Sequence, residues 1–248
     1  MAVSAADFCK YDTRERMPTC LMRFPVSRSR SAHVRRIPDL TLYDRMSRLY
    51  DAVFAPVEAR LTDAAVDMLD PQPGERILEL GPGTGRALAR IGTSAGPGGV
   101  VLGIDLSRRM LAISASRLAR IAEPSPLRLA RGDARALALG DASFDAVFMS
   151  FTLELFDSRG GPRVLAECAR VMRRPGRLVV CSLWRAEPPS LATRAYELGH
   201  RMFPAVLDCR PIDLDGMLGH AGFGVRRAAT LSLAGITVRI VLGFAPQP

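Results

Sequence analysis

One stretch of this chain constrains its fold more than any other: Ile77-Leu-Glu-Leu-Gly-Pro-Gly-Thr-Gly-Arg86. A short apolar run meets glycines at 81, 83 and 85, and a helical pattern starts near Thr84. A strand that feeds a glycine turn and opens a helix places a ligand at the carboxyl end of a sheet, beside free helix N–H groups. Glycines there take positive φ where needed and let the backbone approach the ligand. The dinucleotide pattern G-x-G-x-x-G, started at Gly81, puts Arg86 where a third glycine must allow close packing. That register fails.

The rest of the chain supplies a matching architecture. Apolar runs at Arg76–Leu80, Val100–Ile104, Leu127–Ala130, Phe144–Ser150 and Arg177–Leu183 read as buried strands. Helices are expected between them: one from the Ser107 cap to about Ile121, one over about Gly161–Met172, one over about Ser190–Phe203 and a short one near Leu214–Ala221. A further helix is expected over Leu40–Leu69, broken at Pro56, and Pro175-Gly176 reads as the turn into the fifth strand. Alternation of this kind builds a mostly parallel sheet covered on both faces. Val225–Leu231 and Val238–Phe244, separated by a turn at Gly235, break the rhythm and predict an antiparallel hairpin at one edge. The fold class is thus α/β, a Rossmann-like seven-stranded sheet.

Composition narrows the setting. The 248 residues, 48% hydrophobic and 24% charged, suffice for one sizeable core. No apolar run approaches the roughly 18–20 residues of a membrane-spanning helix. The formal charge is +9, yet residues 1–37 alone carry eight basic side chains against Asp7, Asp12 and Glu15. Beyond them the arginines are scattered rather than gathered into a stripe, which argues against a nucleic-acid partner. Lys10 is the only lysine, a bias more in keeping with a GC-rich genome than with a polyanion site. Residues 1–38, Arg- and Ser-rich, read as a disordered tail, a transit peptide, or sequence upstream of a start at Met17 or Met22. Residues 39–248 read as the folded domain. Cys9, Cys20, Cys168, Cys181 and Cys209 show no metal-ligand spacing, so reduced thiols in the cytoplasm and no metal site are expected.

Three acids end successive strands. Glu79 precedes the glycines, giving E-x-G-x-G-x-G; Asp105 ends Val100-Val-Leu-Gly-Ile-Asp; Asp133 sits in Gly132-Asp-Ala134. Asp105 can accept both hydroxyls of a ribose, or it can simply cap the helix that follows. Asp133 can be a plain turn residue. The E-x-G-x-G-x-G stretch resembles the first motif of class I S-adenosylmethionine-dependent methyltransferases. That resemblance implies S-adenosylmethionine as cofactor, its ammonium near an acidic neighbourhood and its carboxylate on helix N–H groups. It further implies that Asp133 meets the adenine amino group, with the Ala134 N–H on a ring nitrogen. The implied cofactor site comprises Glu79, Gly81, Gly83, Thr84, Gly85, Asp105, Leu106, Met110, Asp133, Ala134, Ser150 and Tyr50.

Over roughly residues 40–245 the chain is similar to the UbiE-like ubiquinone/menaquinone methyltransferases of the methyltransferase type 11 group. Leu42-Tyr-Asp-Arg-Met-Ser-Arg-Leu-Tyr-Asp51, the Asp141-to-Phe151 strand and Val171-Met-Arg-Arg-Pro-Gly-Arg-Leu178 carry the likeness. The run Ser150-Phe-Thr-Leu-Glu-Leu-Phe156 departs from it. The resemblance implies methyl transfer to a small lipophilic acceptor such as a quinone precursor, phenol or enol.

In-line transfer from a sulfonium asks mainly for alignment and exclusion of water, and a base only where the acceptor is not already anionic. His200 and Glu154 are the candidates for that base, and Arg210 for anchoring an acidic acceptor. Each also has a plain structural reading. Two other functions stay open. An RNA or DNA methyltransferase would suit the charge, but no Pro-Pro-aromatic motif follows the fourth strand, where Ser150-Phe-Thr-Leu stands. A non-catalytic, cofactor-binding partner protein is the other. Peripheral membrane contact is compatible with the basic tail, and the oligomeric state has no signature.

Overall fold

A computed structural model describes residues 22–23, 58–120, 127–186, 188, 191–202, 209–233 and 235–245. For residues 22–23 and 200–202 it describes the backbone alone. Its centre is an eight-stranded sheet: β1 (Met22–Arg23), β2 (Arg76–Leu80), β3 (Val100–Asp105), β4 (Leu127–Arg131), β5 (Phe144–Ser150), β6 (Met172–Leu183), β7 (Gly224–Leu233) and β8 (Ile236–Phe244). Their order across the sheet is β1-β4-β3-β2-β5-β6-β8-β7. Setting aside the two-residue β1, this is the expected seven-stranded sheet. β8 lies between β6 and β7, antiparallel to both.

The helices are α1 (58–69), α2 (Arg86–Ala95), α3 (Arg108–Leu118), α4 (Gly160–Val171), α5 (Leu191–Met202) and α6 (Leu214–His220). The part of the expected first helix before residue 58, Pro56 included, lies outside the described residues. So does Ile121, the expected end of α3.

Alternate residues of the central strands feed two separate cores. Leu78, Leu80, Val147 and Met149 pack with Val164, Leu165, Cys168 and Leu218 on one face. Ile77 and Phe148 pack with Leu61, Leu69, Leu88, Ile91 and Leu111 on the other. Burial on both faces is why these strands read as continuous apolar runs rather than as alternating ones. Ser107 caps α3 as expected, accepting the Met110 N–H at 3.3 Å, an interaction of about 1 kcal/mol.

One expected boundary moves. Pro175-Gly176 does not precede the fifth strand of the sequence reading but lies inside β6. Met172 pairs with Phe144 and Arg177 with Ala146, so residues 173–176 loop out between them. Proline has no N–H for the ladder, and a Cβ on Gly176 would stand 2.3 Å from the Arg173 carbonyl oxygen. A residue pair of this kind fits an irregularity in a strand as well as it fits a turn.

From β2 the chain winds outward through β3 and β4 on one side, and through β5 and β6 on the other. The reversal of direction falls between β2 and β5. In a doubly wound sheet that is where a crevice opens at the carboxyl ends of the strands.

Candidate active site

The glycine loop sits at this crevice, and its three glycines do different jobs. All have positive φ: 69° at Gly81, 51° at Gly83 and 75° at Gly85. A Cβ on Gly81 would fall 2.4 Å from Thr152 Oγ1, and one on Gly85 would fall 2.6 Å from Ser114 Oγ. Those two glycines let the loop pack against the turn after β5 and against α3. Gly83 alone is open, with nothing within 4 Å of an added Cβ. The loop is tied from behind: Ser114 Oγ donates to the Gly83 carbonyl at 3.1 Å, and Arg117 Nε donates to the Thr84 carbonyl at 2.8 Å.

Glu79 is the unusual group. Its side chain lies on the same face of β2 as Ile77, and the residue is 2% exposed. Its Oε2 is fully buried and accepts no hydrogen bond from the described residues. Burial first, and the neighbouring Asp105 second, push its carboxyl up to about 8. An orphaned carboxyl oxygen of this kind costs several kcal/mol unless a cation or donor reaches it.

Asp105 is half-buried at the end of β3. Its Oδ1 accepts the Ser107 N–H at 2.7 Å and its Oδ2 the Gly83 N–H at 3.4 Å. Desolvation raises its carboxyl above the ordinary range against the pull of those bonds. Each oxygen keeps a free lone pair for a hydroxyl. Beside it, Leu106 and Met110 are exposed apolar side chains, 52% and 36%, available to sandwich a flat ring.

Asp133 is differently placed. Arg135 Nε bonds both of its carboxylate oxygens, at 3.0 and 3.2 Å, Nη2 adds a third bond at 2.7 Å, and the Arg135 N–H a fourth at 2.9 Å. The Arg135 side-chain bonds hold its carboxyl below the usual range. Four accepted bonds fill a carboxylate, so an incoming amino group requires Arg135 to turn outward. Ala134 is half-buried next to it.

The turn after β5 completes the crevice. Ser150 Oγ lies 2.9 Å from Thr62 Oγ1 of α1. Phe151 has φ 50°, an uncommon conformation for a bulky residue. It is held there by its N–H on the Cys181 carbonyl at 2.8 Å and by Thr152 Oγ1 on the Ser150 carbonyl at 3.0 Å. Such strain, about 1–3 kcal/mol, concentrates at functional sites. Glu154 is buried within the following 3-10 turn (Leu153–Leu155), its Oε1 accepting the Leu183 N–H at 3.2 Å. Arg210 Nη2 donates to the Phe156 carbonyl at 2.8 Å.

The structure places Glu79, Gly81, Gly83, Thr84, Gly85, Asp105, Leu106, Met110, Asp133, Ala134 and Ser150 at or just beyond the carboxyl ends of the neighbouring strands β2, β3, β4 and β5. Tyr50 and the His200 side chain lie outside the described residues. Sequence reasoning missed Thr62, Ser114, Phe151 and Thr152. Thr152 carries a signal, a small polar residue two places past the strand end, and so does Ser114, a serine two helical turns after the Ser107 cap.

Comparison with known proteins agrees with this geometry. Residues 77–176 match a family model described as a methyltransferase domain. Nocamycin O-methyltransferase of Saccharothrix syringae is 36% identical over 172 residues, 67% of this chain and 57% of that protein. The demethylmenaquinone methyltransferase of Corynebacterium kroppenstedtii is 32% identical over 170 residues, 66% of this chain and 68% of that one. Among solved structures, the magnesium protoporphyrin IX methyltransferase of Synechocystis PCC 6803, with bound S-adenosylhomocysteine, superposes with TM-score 0.65 at 18% identity, over 83% of this chain and 94% of that chain. The first of these relatives is matched over little more than half its length, while the second is covered beyond two thirds and at an identity that marks kinship. The chain belongs to the S-adenosylmethionine-dependent methyltransferase family that includes the demethylmenaquinone and ubiquinone/menaquinone methyltransferases.

Proposed function

We propose that this protein transfers the methyl group of S-adenosylmethionine to a small, lipophilic acceptor, a quinone precursor, phenol or enol. The observation that carries the reading is the buried, unsatisfied Glu79 oxygen at the end of β2, beside Asp105 at the end of β3 and the open Gly83 that bonds it. When bound, the cofactor supplies an electrophilic methyl carbon. The chain does the rest. Glu79 receives the α-ammonium, N–H groups at the start of α2 receive the carboxylate, and Asp105 receives the ribose. Leu106 and Met110 flank the adenine, and Asp133 meets its amino group once Arg135 has turned away.

The acceptor then approaches past Ser150, Thr62 and the strained Phe151, whose apolar ring favours a lipophilic partner. Glu154 and His200 are the candidate bases. For Glu154 the role would mean giving up the Leu183 N–H it now accepts. The names of the relatives, an O-methyltransferase and menaquinone and ubiquinone methyltransferases, support an oxygen-bearing or quinone-type acceptor. Among the described residues no helix is long and apolar enough to cross a membrane, and a cytoplasmic enzyme touching a membrane surface suits such acceptors. The catalytic domain occupies residues 39–248, with 1–38 as a basic extension.

The test is methyl transfer from labelled cofactor to a panel of naphthoquinols, benzoquinols, phenols, enols and RNA. Label in a quinol, phenol or enol supports the reading. Label in RNA alone, or in nothing while the cofactor binds tightly, replaces it with the nucleic-acid or partner-protein alternative.

A further inference from the structure

The buried carboxyl of Glu79 carries a consequence for how the cofactor binds. A charged carboxylate with an oxygen facing no donor is a state the free protein avoids. The groups around it give no relief. Asp105, from β3, is a second acid that disfavours ionisation. β5 offers Phe148 in register and the Ser150 hydroxyl beyond it. On the helix side α1 carries Glu58 and Asp63. The arginines of α2 are already engaged, Arg86 with Asp63 at 2.6 Å and Arg90 with Asp63 and Asp67. Arg117 of α3 is on the Thr84 carbonyl. Among the described residues no cation or donor reaches the Glu79 Oε2.

We infer that Glu79 is a neutral carboxylic acid in the free protein and releases its proton to solvent as the cofactor's α-ammonium docks, so that cofactor binding and proton release are one event. This rests on the assignment of Glu79 to the ammonium subsite made above. The balance is simple: a neutral carboxyl and a ligand ammonium become a carboxylate–ammonium pair plus one solvated proton. The displacement near 8 agrees in direction with the neutral state at pH 7. Specificity follows, because a ligand with no ammonium cannot draw the proton away.

The experiment is calorimetric titration with S-adenosylhomocysteine at pH 6, 7 and 8, in buffers of different ionisation enthalpy. One proton is expected to leave per ligand bound at pH 6 to 7. The dissociation constant should fall about tenfold per pH unit until it levels near pH 8. 5′-Methylthioadenosine, which lacks the amino-acid end, should bind with no proton release and no pH slope. Glu79→Gln should bind S-adenosylhomocysteine with a flat profile, its gap from wild type closing as the pH is lowered. Infrared difference spectra of the wild-type protein give an independent readout, in which a protonated-carboxyl band should vanish on adding S-adenosylhomocysteine. Saturable binding with no proton released, a slope that survives Glu79→Gln, or a carboxyl band that persists in the complex would overturn the inference. Absence of binding at any pH would instead remove the cofactor site itself.

Discussion

The two ends of the sheet treat charge in opposite ways. At the amino end every principal acid has an arginine. Glu75 takes Arg177 through two bonds of 2.6 and 2.7 Å, and the same guanidinium also donates to the carbonyls of Leu69 and Asp70. Asp145 takes Arg173 at 2.8 Å and the Arg76 N–H at 2.8 Å. Arg170 ties Glu167 and Asp141 to the carbonyls of Leu137 and Leu139. At the carboxyl end Glu79 and Asp105 lie near each other with raised carboxyls. Paired charges knit the chain at the amino end. Asp133 at that end has its own arginine in Arg135, but among the described residues none bonds Glu79 or Asp105, and stability is given up there where a cationic ligand is expected.

That contrast can be broken or sharpened by substitution. The largest effect should come from Gly83→Arg, which fills the one open position of the loop and adds the strain of a positive φ, about 1–2 kcal/mol. S-adenosylhomocysteine binding should be lost in calorimetry, with only a few degrees off the melting temperature. Retained affinity would show that the crevice is not the site.

Glu79→Gln should stabilise the free protein in a pH-dependent way. The folded-state carboxyl is raised above its unfolded value, so its contribution is whole below about 4.5 and is lost as pH rises through about 8. The variant should therefore melt with wild type near pH 4.5 and progressively above it toward pH 8, by at most about 1.4 kcal/mol per pH unit. A melting difference independent of pH would mean that Glu79 is ionised in the free protein.

Arg177→Ala should cost about 2–3 kcal/mol, because it strands a largely buried Glu75 and two carbonyls. Denaturant unfolding would measure this, and the cofactor dissociation constant should not move. Asp105→Ala should weaken S-adenosylhomocysteine about 30-fold, or about 2 kcal/mol, with a smaller loss of stability. Arg135→Ala should produce the smallest change, a tightening of binding by no more than a few-fold, since the ligand no longer displaces an exposed pair that contributes under about 1 kcal/mol. A large loss of affinity there would mean that Arg135 itself touches the ligand.

The sheet was legible in the sequence where burial on both faces leaves an uninterrupted apolar run. Arg76–Leu80 and Phe144–Ser150 appear in the structure with the limits expected of them. Pro175-Gly176 reads as a turn in the sequence because a turn and a looped-out strand segment use the same residues. The glycine loop was recognised as a ligand loop, yet only the structure separates Gly83, open to the crevice, from Gly81 and Gly85, which admit Thr152 and Ser114. Thr62 could not be read at all, since its partner Ser150 is 88 residues away and nothing local marks the pair. Glu79 was recognised by its motif, but its unsatisfied oxygen is a property of packing that no motif encodes. Arg135 stood in plain view two residues after Asp133, and only three dimensions show that it fills that carboxylate.

The glycine loop at the crevice between β2 and β5 should hold S-adenosylmethionine and not a dinucleotide. Calorimetric titration of the purified protein with S-adenosylhomocysteine, with NAD as the control, tests this most directly. Saturable binding of S-adenosylhomocysteine with a silent NAD titration is the predicted result. No heat with S-adenosylhomocysteine, or tighter binding of NAD, would contradict it.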